Sequence, residues 1–351
     1  MNLSGTTKCP LVSIVVPTYN VGQYICRSLK SLQQQDYENI EVIVVDDCSS
    51  DNTMSVAQTF AADDTRFHVV QQKENAGAGA ARWRGIQLSH GAFIGFLDAD
   101  DWADSHFVSE LVRAQTETGC DIVCCQHFFY WSDKHITTPW PYDNRRLVID
   151  NQNAVQRMCT YDRIGTELWN KLFRCSLVKA YPMHSMEFED AFYLIDVMKA
   201  AKSICVYSIP LVYYTQREGS LMNSRYSIEK EISHCRLSVC QARLYNDVGL
   251  KANPHVIKKC IRTFKNMLLV SEPLTVAGNK EEILSLLRST ADIHYARHVK
   301  LKYRLKRWLI LHLTDFYARC YTGFMRRFCK GKIQRLRASY KRTSADVCSG
   351  K

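Results

Sequence analysis

Residues 40–53 read IEVIVVDDCSSDNT. Ile40 to Val45 is a β-branched apolar run that ends in Asp46 and Asp47, and Ser49 to Asn52 form a helix-capping turn before Met54 to Ala62. A short apolar run stopped by polar turn residues predicts a buried strand, and the capping residues predict that a helix follows it. The same unit recurs on either side. LVSIVV (11–16) is a strand stopped by Pro17, with Asn20 and Gly22 in the turn, and Ile25, Leu29 and Leu32 give helical spacing over 23–35. Downstream come a strand over Phe67–Val70, a helix from about Gly79 to Leu88, and a strand over Phe93–Leu97 that runs into Asp98. Such alternation predicts an α/β fold, a Rossmann-like, mainly parallel sheet with helices on both faces. Ligands bind such sheets at the carboxyl ends of the strands. Asp46 and Asp47 follow the second strand, and Asp98, Asp100 and Asp101 follow the fourth, so both acidic groups are expected on one rim.

Further along, 121–131 reads as a strand, 132–150 as a polar loop with aromatics and prolines, and 151–199 as mixed and mostly helical. SICVYSIPLVYYT (203–215) is a late strand, and beyond about 225 the pattern is helical to the end. This divides the chain into an α/β domain over 10–225, a helical extension over 226–298, and a basic amphipathic C-terminal segment over 299–345. With 46% hydrophobic residues among 351, the chain has material for a packed core. Its 15 cysteines include no CxxC pair, which argues against a zinc ribbon and for thiols buried as small hydrophobes in a reducing compartment. The N-terminus has no long apolar stretch of the secretory type, and no stretch approaches the ~20 apolar residues of a membrane span.

The net charge of +11 is concentrated at one end: residues 300–342 hold 14 Lys or Arg and a single acid, Asp315. Leu301, Leu305, Trp308, Leu309 and Leu313 fall near one helical face there, with Phe316, Tyr317, Phe324 and Phe328 extending it. This pattern fits a helix lying on an anionic bilayer surface, or an amphipathic helix packed on the domain. Nucleic acid is not an expected partner, because no recognition motif accompanies the charge.

Asp98-Ala99-Asp100 places two carboxylates one residue apart at a strand end. Hard oxygen ligands of this kind suit Mg²⁺ or Mn²⁺, which keep open positions for phosphate oxygens; a strand-end turn with helix-capping acids would look the same. Glu189-Asp190 offers either a positioned carboxylate base or an acidic pair at a helix N-terminus. Arg217, with Ser220, follows the late strand, where a cation can close over a diphosphate or simply be solvated. Trp169-Asn170-Lys171 can bind a substrate or buttress the site, and Trp169 reads better as a buttress. Gly77-Ala78-Gly79 mimics a dinucleotide fingerprint but does not follow the first strand, so nicotinamide binding is not expected.

VSIVVPTYN (12–20), VIVVDDCSSDNT (42–53), ENAGAGAAR (74–82) and FLDADDW (96–102), in that order, resemble the inverting family-two glycosyltransferases, which have a GT-A fold. LWNKLFRCSLV (168–178), FEDAFY (188–193) and YYTQREGSLM (213–222) resemble the family's bacterial polysaccharide branch. The resemblance covers roughly residues 10–225. It implies that Pro17 and Tyr19 line a nucleobase pocket and that Asp47 accepts a hydrogen bond from a uracil imide. It implies that Arg82 supports the nucleotide or its phosphate, that Asp98 reaches the ribose or the ion, and that Asp100 is the main metal ligand. Asp190, beside Glu189, would be the catalytic base, and the adjacent acid would raise its proton affinity. The family commonly has Ala-Arg-Asn where this chain has Arg82-Trp83-Arg84, so an amide is missing there. The expected activity is metal-dependent, inverting transfer of a hexosyl or N-acetylhexosaminyl group from a nucleotide sugar, a UDP-sugar, to a saccharide or lipid-linked acceptor. The setting implied is bacterial surface polysaccharide synthesis, with the protein cytoplasmic and peripheral on the inner face of the cell membrane. The alternative is a non-catalytic nucleotide-sugar-binding or scaffold protein on the same fold.

Overall fold

The structure, a computed structural model, describes residues 9–131, 136–138, 145–216, 227–270 and 273–341. The chain divides into two compact units, Met1–Arg217 and Glu218–Lys351.

The first unit opens with the alternation expected: β1 (Val12–Thr18), α1 (Ile25–Gln33), β2 (Ile40–Asp46), α2 (Thr53–Asp63), β3 (Phe67–Gln71), α3 (Ala78–Leu88) and β4 (Phe93–Phe96). These four strands pair in parallel, in the order β3-β2-β1-β4. Every residue of β2 is buried, as a strand covered on both faces requires. Val42 and Val44 pack into the main core with Leu29 and Leu32 of α1 and Ala57 of α2. Ile43 and Val45 point the other way and pack with Ala81 of α3. Gly85 lets α3 approach the sheet closely, since a Cβ there would come within 2.3 Å of Val15 Cγ1.

The unit continues with β5 (Trp102–Ala103), α4 (Phe107–Thr118), β6 (Ile122–Trp131), β7 (Ile136–Thr137), β8 (Arg146–Asp150), α5 (Asn151–Thr160), β9 (Lys171–Arg174), α6 (Cys175–Lys179), α7 (Glu189–Ala200) and β10 (Ser203–Gln216). The sheet runs β3-β2-β1-β4-β9-β6-β10-β5, with β7 on β6 and β8 on β10. Only β6–β10 is parallel in this half; β9, β5, β7 and β8 pair antiparallel, so the sheet as a whole is mixed. Several of these strands escape the sequence pattern, the short β5 and β7 and the longer β8 and β9. β8 lies in the stretch expected to be a loop, because it joins through its backbone while Leu147 and Val148 stay exposed. β9 begins with a lysine, yet Lys171 is buried, its ammonium held by the Glu167 carbonyl at 2.5 Å and Asn170 Oδ1 at 2.7 Å.

The second unit is helical: α8 (Ile228–Asp247), α9 (His255–Val270), α10 (Pro273–Ser289), α11 (Leu301–His312), α12 (Thr314–Phe328) and α13 (Lys330–Lys341). Its core gathers Ile232, Val239, Cys260, Phe264, Ile283, Leu287 and Ile310. The expectation of buried thiols holds for Cys120, Cys124, Cys125, Cys205, Cys235 and Cys260 but fails for Cys9, Cys26, Cys48 and Cys320, which are exposed. Cys26 shows why: it lies one residue past Ile25 on α1, where helical geometry turns it outward.

Candidate active site

The parallel register fixes where the acids emerge. Thr18 is opposite Asp46 and Val15 is opposite Phe96, so the segments after β1, β2 and β4 leave the sheet on one rim. The two members of Asp46-Asp47 then separate in role. Asp46 is buried and organises its own turn, accepting from Thr18 Oγ1 at 3.1 Å, from the Ser49 N–H at 3.0 Å and from Ser49 Oγ at 2.5 Å. Asp47 reaches across to the start of α3. Its Oδ1 accepts from Gln72 Nε2 at 2.6 Å and the Ala76 N–H at 2.8 Å, and its Oδ2 from the Gly77 N–H at 2.7 Å. Gly77 sits at φ +89°, a conformation that favours glycine. A carboxylate offers about four acceptor positions; the three bonds here leave one, on Oδ2. Pro17 is half-buried in β1, and Tyr19, just past the strand, exposes 49% of its surface at the rim.

Arg82 on α3 joins the acids of two distant segments. Its Nη2 donates to Asp98 Oδ1 at 2.8 Å and its Nη1 to Glu189 Oε1 at 2.6 Å, while its buried Nε–H has no partner among the described residues. Burial alone would lower the pKa of this guanidinium, but Asp98, Glu189 and Asp190 outweigh it and the net shift is upward. Asp190 stands in the first turn of α7, where its Oδ1 accepts the Ala191 N–H at 2.8 Å. Burial pushes Asp190 up to about 6; Arg82 opposes the shift, and Glu189 and Asp98 add to it. The adjacent glutamate therefore acts as expected, but as a secondary cause.

The acidic turn after β4 is tied down from behind. Asp101 is buried, with Oδ1 accepting the Thr215 N–H at 2.7 Å and Oδ2 without a partner among the described residues. Burial, then Asp100 and Asp98, raise its pKa well above the usual carboxylate range. Tyr214 stands near enough to these acids for them to reinforce burial in raising its phenol to about 12. Trp169 is buried and stacks on Tyr214 at 5.2 Å, a buttress arrangement. Arg217 lies outside the described residues. The sequence gives no sign of two residues that hold this turn, Arg27 and Thr215. They lie 73 and 115 positions from Asp100, beyond the reach of any local pattern.

No group of three His, Cys, Asp or Glu side chains among the described residues converges to hold a cation. Asp98 and Asp100 nonetheless fit a divalent ion. Mg²⁺ and Mn²⁺ are commonly bound by one or two carboxylates, with the remaining ligands taken from substrate phosphates and water. Asp98 offers this ion a carboxylate whose Oδ1 is already held by Arg82 Nη2 at 2.8 Å.

Residues 13–181 match the family model described as Glycosyl transferase family 2. The chain is 33% identical over 224 residues to a putative glycosyltransferase, EpsH, of Bacillus subtilis, a match covering 61% of this chain and 63% of that protein. It therefore spans less than two thirds of this relative. A match of 37% over 109 residues, 31% of this chain and 35% of the relative, links it to the GalNAc(5)-diNAcBac-PP-undecaprenol beta-1,3-glucosyltransferase of Campylobacter jejuni. Among solved structures, S. aureus TarS 1–349 in complex with UDP-GlcNAc superposes with a TM-score of 0.61 at 20% identity, covering 94% of this chain and 90% of that one. At that identity the likeness speaks for the fold, which is GT-A.

Proposed function

We propose that the protein, whose residues 13–181 match the family-two glycosyltransferase model and whose fold is GT-A, moves a sugar from a UDP-sugar to a saccharide or lipid-linked acceptor, with inversion, in bacterial surface polysaccharide synthesis. The observation that carries this reading is the Arg82 bridge. One buried guanidinium brings Asp98, at the end of β4, together with Glu189 at the start of α7, and the neighbouring Asp190 has its proton affinity raised towards neutral pH. A pair of acids in distinct environments around a cation suits chemistry in which one binds the donor and the other moves a proton.

In this reading the nucleobase rests on Tyr19 beside Pro17, and its imide N–H takes the remaining acceptor position of Asp47. Asp98 and Asp100 would hold Mn²⁺ or Mg²⁺. When bound, the ion stabilises negative charge on the departing nucleoside diphosphate. The Nε–H of Arg82, without a partner among the described residues, suits a phosphate oxygen. Asp190, ionised above about pH 6, takes the acceptor hydroxyl proton as that oxygen bonds to the anomeric carbon. The bond from this carbon to the diphosphate breaks in the same step, so an α-linked donor yields a β-glycoside.

The acceptor's setting is read from the second unit. Leu301, Leu305, Trp308, Leu313, Phe316 and Phe324 are all exposed, amid Lys302, Arg304, Arg319, Arg326 and Arg327. No helix among the described residues is long and apolar enough to cross a membrane. An exposed apolar face in a basic surround suits the anionic inner face of the cell membrane, where lipid-linked acceptors lie. The testing experiment is incubation with a panel of UDP-sugars and Mn²⁺, following UDP release with and without acceptor. One donor should be consumed by the wild type and not by Asp100→Ala; no turnover of any nucleotide sugar, or full activity in the variant, would reject the reading.

A further inference from the structure

Helix α1 reaches the acidic turn through two side chains: Ser28 Oγ donates to the Asp98 carbonyl at 3.4 Å, and Arg27 makes the fuller set of contacts. The Arg27 guanidinium lies 3.7 Å from the centre of the Trp102 ring and 5.2 Å from that of Tyr130. Its Nη2 donates to the Asp100 carbonyl at 3.2 Å and to Thr215 Oγ1 at 3.0 Å. Thr215 completes the circuit: its hydroxyl donates to the same carbonyl at 2.6 Å, and its N–H to Asp101 Oδ1 at 2.7 Å. Trp102 is itself fixed, stacked on Tyr213 at 4.8 Å with 3° between the planes. Arg27 thus faces a ring stacked on another and binds the main chain of the residue proposed as the leading metal ligand.

We propose that Arg27 is a positioning residue for glycosyl transfer: through the Asp100 carbonyl and Thr215 it holds the Asp98–Asp100 turn in the one geometry in which both carboxylates meet the cation and the donor diphosphate. This rests on the donor-site reading above. Arginine suits the task because a planar cation can stack through its face while donating in its plane; a lysine ammonium can do only part of this. Nothing in the contact set needs Arg27 to touch the donor. Its effect passes through the backbone, where a displacement of about 1 Å in a catalytic group costs on the order of a hundredfold in rate.

A residue that merely supports the fold would lower stability without selectively changing cation binding. The test therefore compares the full chain with Arg27→Met, Arg27→Lys and a control, Val112→Ala, which trims a buried side chain of α4 outside the acidic turn. Three quantities are read: thermal stability, Mn²⁺ affinity in the presence of UDP by titration with electron paramagnetic resonance, and kcat with donor KM. Arg27→Met is expected to weaken Mn²⁺ binding about tenfold and to lower kcat about a hundredfold. Arg27→Lys should recover part of both, and Val112→Ala should bind and turn over as the wild type does despite its lower melting temperature. The proposal is overturned if Arg27→Met binds Mn²⁺ and turns over like the wild type, or if its losses are matched by Val112→Ala. A wild type that binds neither Mn²⁺ nor UDP would instead bring down the donor-site reading, and this proposal with it.

Discussion

Arg82 pairs with Asp98 and Glu189 and opposes the upward shift of Asp190. Its side chain is 8% exposed and its carboxylate partners Asp98 and Glu189 are 27% and 19% exposed, so solvent screens the pairs only in part. Removing one member of a buried ion pair leaves uncompensated charge, at a cost of about 3–5 kcal/mol when burial is complete. Here Arg82→Met is expected to cost on the order of 3 kcal/mol, read by denaturant unfolding. It should also move the pH profile. Asp190 titrates at about 6 with Arg82 opposing the shift, so losing the cation raises that value further. A base works ionised, so activity falls as pH drops through its pKa, and the acid limb of kcat/KM should shift upward in the variant. Asp190→Asn should lower kcat by about 10²–10⁴ while leaving UDP affinity intact; a variant with wild-type kcat would remove Asp190 from the proton transfer. The acids were legible in the sequence because each sits at a strand or helix end that a local window can see. Their supports were not: Arg27 looks like an ordinary helix surface cation until the fold brings it to Asp100.

Helix α3 shows how far a sequence pattern carries at the level of elements. Its place between strands follows from alternating apolar runs, and its start and its depth follow from two glycines. Gly77 takes up positive φ where Asp47 gathers the N–H groups of the loop, and Gly85 lies against Val15. Gly85→Ala would place a methyl 2.3 Å from Val15 Cγ1 in a close-packed layer, so it should destabilise by about 1–3 kcal/mol despite alanine's better helix propensity. A melting temperature equal to or above that of the wild type would show that the layer has room. Asp47 belongs to this element as much as to the proposed nucleobase pocket, since three of its acceptor positions are spent inside the protein. The long strands and helices were readable because burial imprints a period on them. β8 and β9 were not, because one pairs with its apolar residues exposed and the other buries a lysine satisfied by its neighbours.

The C-terminal helices concentrate the excess of positive charge and carry six of the 12 large hydrophobics exposed among the described residues. The sequence allowed them to pack inward or to face a bilayer, and the structure gives them two faces. Ile310 lies in the core of the helical unit with Tyr303 and Tyr317 against it, while Leu305 and Trp308 remain 54% and 51% exposed. Truncation before α11 would strip that core, so it cannot test membrane contact; substitution on the outer face can. Replacing Leu305 and Trp308 together with glutamine removes little that the folded unit uses, and the melting temperature should stay within about 1 °C of the wild type. Full burial of side chains of this size is worth about 1.5–3 kcal/mol each, and partial insertion at an interface captures a fraction of that. The double variant should therefore bind vesicles containing anionic lipid at least about tenfold more weakly. Wild-type binding should also weaken as salt rises and vanish on uncharged vesicles, because each basic residue near the surface contributes about 1 kcal/mol. Equal binding by the two proteins in a vesicle flotation assay would show that the exposed apolar row meets something other than a bilayer.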